Sequence, residues 1–91
     1  MAGMDARLLV GQNVRRLRLA ADLSQEAVAE RMGVDRAYVS ALELGKRNPT
    51  VITLWQVAEA LQVRLVDLVA ETMDAPTEDR KRAPRRGGSR A

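Results

Sequence analysis

Gln25-Glu26-Ala27-Val28-Ala29-Glu30-Arg31-Met32-Gly33-Val34-Asp35-Arg36-Ala37-Tyr38-Val39-Ser40-Ala41-Leu42-Glu43 reads as two short helices joined at a tight glycine turn. Ala29 is small enough to let the helices cross closely, and Gly33 can take the positive φ that such a turn requires. Val28, Met32, Val34, Val39 and Leu42 fall on one inward side. The arrangement is a helix-turn-helix whose second helix is free to present Arg36, Tyr38 and Ser40 to DNA. A helical hairpin with no role at DNA is the alternative.

Working outward, Leu9, Val10, Val14, Leu17 and Ala21 recur at helical spacing, which predicts a first helix over roughly Asp5 to Ala21 with Arg7, Arg15 and Arg16 outside. Ser24 is placed to cap the next helix, with Glu26 in its positively polarised first turn, and Asp35 to cap the third in the same way. Leu44-Gly45 ends that helix on a residue suited to the left-handed cap, and Lys46-Arg47-Asn48-Pro49 forms a loop. Thr50 caps a fourth helix with Leu54, Val57, Ala58 and Leu61 as its apolar stripe and Trp55 beside it. Leu65, Val66, Leu68 and Val69 give a short fifth helix. The expected architecture is all-α: a compact five-helix domain over 5–72 and a tail over 73–91. Pro76, Pro84, Gly87, Gly88 and a run of charge leave that tail almost nothing to bury, so it is expected to be disordered.

The 91 residues include no Cys, His or Phe. A single domain of this size buries only about 60% of its unfolded surface, which favours association with a second copy. Without Cys there is no disulfide scaffold or thiolate metal site, and the composition fits a reducing compartment. No apolar run approaches the ~20 residues that span a bilayer. Met1-Ala2-Gly3-Met4-Asp5-Ala6-Arg7 has neither the basic start nor the apolar stretch of a secretory leader, so a cytoplasmic chain with no membrane contact is expected. Through Met73 the chain carries nine Lys or Arg and nine Asp or Glu, so the whole net charge of +3 comes from the remainder. A neutral domain still attracts phosphate where its charges are sorted. Arg36, Lys46 and Arg47 lie in and just after the second helix of the motif, whereas Glu59, Asp67 and Glu71 come late.

Val14, Leu17, Leu23-Ser24-Gln25, Ala29, Gly33, Val39-Ser40, Leu42-Glu43, Gly45-Lys46-Arg47-Asn48-Pro49, Leu54, Ala58 and Leu61 resemble the pattern of the phage-repressor and Cro-like (Xre-type) helix-turn-helix regulators, over roughly Leu8 to Val69. The resemblance implies a lambda-repressor-like fold and regulation of transcription at operator DNA. Within that group, Asp35-Arg36-Ala37-Tyr38-Val39-Ser40 followed by Arg47-Asn48 and Thr50 is similar to the controller proteins of restriction-modification systems. Asp22 and Gln62 stand where the family often has glycine, and Arg64 where it often has a small capping residue.

Arg36, one position past the cap, has forked donors that match guanine O6 and N7, a pairing worth about 1–3 kcal/mol of discrimination, and is the leading candidate to read a base. Tyr38 can give its hydroxyl to a phosphate, offer its ring to a thymine methyl, or pack inward. Ala37 and Ala41 allow close approach to the groove and a thymine methyl contact, although helix propensity accounts for them equally well. Gln25, at the N-terminus of the second helix, suits a phosphate oxygen, a role the resemblance also implies. Lys46, Arg47, Asn48 and Thr50 are expected to clamp the sugar-phosphate strand, or else to be solvated loop residues, and Ser40 is either a further phosphate donor or a plain surface hydroxyl. The resemblance implies that Arg18 and Glu43 pair between the first and third helices and lock the recognition helix in place. Trp55, Val66 and Val69 exceed the apolar surface that a small monomer covers, so an isologous dimer matching a palindromic operator is expected, unless Trp55 simply completes the core.

Catalysis is not expected, since the carboxylates are scattered and no glycine-rich phosphate loop or metal-ligand spacing occurs. Neither a cofactor nor a metal is implied. The expected partners are double-stranded DNA and a second copy of the chain. The rival reading is an antitoxin-like interaction module with a protein partner, which also regulates its own operon. Against it, the tail from Arg80 to Arg90 carries six positive charges and no apolar anchor for a partner groove. That tail is either a mobile electrostatic arm on DNA or a solubilising extension.

Overall fold

The computed structural model describes residues 5–71, which form five helices and no strand: α1 (Ala6–Ala20), α2 (Gln25–Met32), α3 (Arg36–Glu43), α4 (Val51–Leu61) and α5 (Leu65–Leu68). The expectations for the tail from Met73 onward lie outside the described residues. Three of the helices begin on a side chain that accepts a backbone N–H, which removes an otherwise orphaned donor. Asp5 accepts from Arg7 at 2.8 Å, Ser24 from Ala27 at 2.9 Å and Thr50 from Thr53 at 3.0 Å. Asp35 departs from the sequence expectation: it occupies the N-cap of α3 but its side chain makes no capping bond. The Tyr38 N–H that such a carboxylate would take already donates to the Asp35 carbonyl at 3.0 Å, so the exposed carboxylate contributes only charge at the positive end of the helix.

Four helices end on one device, a left-handed residue that lets two N–H groups fold back on the last carbonyls. Gly33 and Gly45 take φ of 74° and 77°, as their type allows, and Asp22 and Gln62 take 60° and 58° with full side chains. The backbone bonds are the same in kind: Leu23 to Arg18 and Val63 to Ala58, like Val34 to Ala29 and Lys46 to Ala41. The two departures from family glycines therefore keep the helix ends and put strain into them. Arg64 likewise keeps the start of α5, where its N–H donates to the Asp67 carboxylate at 3.0 Å.

The core is built from valine, leucine and alanine. Val14, Val28, Val39, Leu42, Val57 and Leu68 are its most deeply buried large side chains, one or more from each helix. Leu17, Met32, Val34, Tyr38 and Leu54 pack around it while partly exposed. Ala21, expected on the apolar face of α1, is instead its exposed C-cap, and Val69 is the C-cap of α5 and not part of the helix. At Gly11 the approach of α1 to α3 is so close that a Cβ would lie 2.5 Å and 2.6 Å from the Leu42 and Glu43 carbonyl oxygens. One turn of α5 cannot sustain itself, and the buried Asn13 amide holds it by donating to the Leu68 and Ala70 carbonyls at 2.9 Å and 3.0 Å. No helix among the described residues is long and apolar enough to cross a membrane.

Candidate nucleic-acid interface

The left-handed turn at Gly33 carries the chain from α2 into α3, and the 3.6-residue period then divides α3 into two faces. Val39, Leu42 and Glu43 point inward. Arg36 and Ala37 are exposed, and Tyr38, Ser40 and Ala41 are half-buried. Of the three side chains expected to face outward, Arg36 is exposed, whereas Tyr38 and Ser40 are partly covered. A shallow depression lined by Ala37, Tyr38, Ala41 and Arg47 runs along the helix.

Arg47 does not extend freely into solvent. Its guanidinium sits 4.6 Å from the centroid of the Tyr38 ring, a cation–π stack that joins the loop after α3 to the helix itself. The Lys46 N–H to the Ala41 carbonyl, at 2.9 Å, fixes the same loop at its start. Lys46, Arg47 and Asn48 are exposed beyond it. Thr50 is exposed as well, but its hydroxyl already accepts from the Thr53 N–H and lies 3.1 Å from the Thr53 hydroxyl.

Behind this face lies a buried ion pair. Arg18 and Glu43 are each only 8% exposed, and the guanidinium meets the carboxylate side-on, with Nε to Oε2 at 2.5 Å and Nη2 to Oε1 at 3.1 Å. The third Arg18 nitrogen, Nη1, donates to the Leu23 carbonyl at 2.9 Å. The bond to Glu43 raises the Arg18 pKa above its ordinary value against the opposing effect of burial, so the guanidinium stays charged. This is the pairing between α1 and α3 that the family resemblance implies.

Gln25 stands where its position predicts, in the first turn of α2, but both ends of its amide have protein partners. Nε2 donates to Glu43 Oε1 at 3.0 Å, and Oε1 accepts from Arg36 Nη1 at 3.1 Å. Sequence reasoning placed Gln25 at a phosphate and missed this link, because nothing in the local pattern tells which way an amide turns. Trp55 on α4, Val66 on α5 and Val69 at the C-cap of α5 are 55%, 50% and 44% exposed. Trp55 therefore does not complete the core. Val51 and Ile52, which the sequence reading passed over, are exposed on the first turn of α4. Among the described residues no cluster of His, Cys, Asp or Glu could hold a metal ion.

Comparison with known proteins agrees with this geometry. A family model described as Helix-turn-helix matches residues 14–68. An uncharacterised HTH-type transcriptional regulator of Sinorhizobium fredii is 52% identical over 80% of this chain and 95% of its own. The control protein C.BamHI of Bacillus amyloliquefaciens is 37% identical over 85% of this chain and 96% of its own. Among solved structures, the restriction-modification controller protein C.AhdI from Aeromonas hydrophila superposes with a TM-score of 0.66 at 39% identity, covering 68% of this chain and 94% of that one.

Proposed function

Because the chain belongs to the Xre-type helix-turn-helix family of DNA-binding transcriptional regulators, we propose that it binds a two-fold operator as a homodimer, with α3 in the major groove. The observation that carries the reading is the outward side of α3, where Arg36 is exposed at the start of the helix, Arg47 stacks on Tyr38 further along it, and the buried Arg18–Glu43 pair ties the helix to α1 from behind. In this reading Arg36 reads base edges, with Ala37, Tyr38 and Ala41 against the groove floor. Lys46, Arg47, Asn48 and Ser40 contact the sugar-phosphate strand, and Thr50 chiefly fixes the start of α4 beside it. The exposed apolar side chains Ile52 and Trp55 of α4, Val66 of α5 and Val69 just past it meet their copies across the two-fold axis.

Titrations with an enriched duplex and its single-base variants separate these roles. Arg36→Ala flattens the preference among duplexes. Arg47→Ala weakens all of them together and lowers the slope of log affinity against log salt by about 0.9, the value for one lost phosphate contact. If Arg36→Ala instead lowers every affinity by one factor, α3 is not reading sequence through that residue.

A further inference from the structure

We infer that Asn13 is a positioning residue for self-association: from inside α1 it fixes the backbone around Val69, and so presents the apolar end of α5 to a second copy of the chain in the form that makes the contact. The inference rests on the proposed homodimer and goes beyond it. α5 is a single turn, Leu65–Leu68, too short to hold its own shape. Leu68 is fully buried beneath it, while Val66 and Val69 are exposed on its outer side. The last carbonyls of such a turn have no following turn to accept from. Asn13 supplies the donors. Its Nδ2 carries two hydrogens, which go to the Leu68 and Ala70 carbonyls at 2.9 Å and 3.0 Å, one on either side of Val69. The Val69 N–H folds back on the Val66 carbonyl at 3.2 Å, so the chain at Val69 is held from both directions.

The amide cannot turn over. Its Oδ1 accepts from Arg16 Nη2 at 3.2 Å, one turn along α1, and a guanidinium only donates. Reversal would set Oδ1 against two carbonyl oxygens and the NH2 group against Arg16. An apolar residue would fill this site, 3% exposed, without the cost of taking an amide out of water. It could not hold the two carbonyls. The gain lies at the surface, where a valine fixed before association has less freedom to lose on contact. A frayed α5 would lower the fraction of chains able to pair, and because both protomers must be competent, the dissociation constant would rise by two such factors multiplied together.

The test uses the full chain with native sequence, Asn13→Leu, Val69→Ser and the double variant, without DNA. Sedimentation equilibrium over a range of concentrations gives the dimer dissociation constants, and hydrogen exchange in dilute, monomeric samples reports on α5. Asn13→Leu keeps the branching of the side chain and removes its donors. The expected result is that it weakens association about 5- to 100-fold, a factor of roughly two to ten from each protomer. The Asp67 and Val69 amides then exchange faster in the monomer, while those of Val14, Val39 and Val57 keep their protection and report an intact core. The double variant is weaker than native by less than the product of the single effects, since Asn13 acts through Val69. If Asn13→Leu dimerises as tightly as the native chain, or if the two effects multiply in full, the positioning role is overturned and the dimer stands. A native chain that stays monomeric throughout removes the dimer itself, and the inference with it. Should Asn13→Leu not fold, Arg16→Ala carries the test, because Arg16 is exposed and only the Oδ1 partner is lost. It should speed exchange at Val69 and weaken association about two- to fivefold; unchanged exchange and association contradict the inference.

Discussion

Gln62 holds a backbone of φ 58° and ψ 44° with a full side chain, at the turn between α4 and α5. The left-handed region costs an L-residue roughly 1–2 kcal/mol, and glycine escapes most of that while losing some of the gain as chain entropy. Gln62→Gly should therefore stabilise the protein by up to about 1 kcal/mol, read as a higher urea midpoint at constant slope. Asp22→Gly should gain less, because aspartate tolerates this region better than glutamine. Gly11 is the opposite case. Its Cβ would meet two backbone oxygens of α3 that cannot rotate away, so Gly11→Ala should cost about 1–3 kcal/mol in the same measurement. Gly33 and Gly45 were legible in the sequence because a turn residue follows its own helix. Gly11 was not, since the carbonyls it must clear belong to a helix far along the chain.

At the scale of the element, the buried Arg18–Glu43 pair ties α3 to α1 beside the apolar contacts of Val39 and Leu42. Removing one member of a buried pair costs about 3–5 kcal/mol, much of it from the charge left behind, so Glu43→Ala should destabilise the fold by that amount in chemical denaturation. Replacing both members with apolar side chains of similar volume, Arg18→Met with Glu43→Leu, should recover most of the loss. The caps at Ser24 and Thr50 were readable from local sequence, and so were the two faces of α3. Asp35 failed as a side-chain cap because its own carbonyl took the donor. Asn13 was invisible for the same reason as Gly11: the carbonyls it satisfies, those of Leu68 and Ala70, reach it only through the tertiary fold.

For the whole molecule, the five helices and their order follow from spacing and caps, whereas the surface is only partly written in the pattern. Trp55 adjoins the apolar stripe of α4 in sequence, and only the tilt of the helix against the core decides that it faces out, with Ile52 at 69% exposure beside it. An exposed tryptophan and isoleucine on a small basic chain are what a two-fold contact would cover, and Ile52→Glu should shift the sedimenting species from dimer to monomer at micromolar concentration. The central claim is that α3 reads sequence. Sequencing the duplexes that the full chain retains from a randomised pool tests it most directly. The predicted result is a two-fold symmetric motif with half-sites centred about 10 bp apart, whose information content collapses in Arg36→Ala. Retention of duplexes without any enriched motif, or a motif that Arg36→Ala leaves intact, would contradict it.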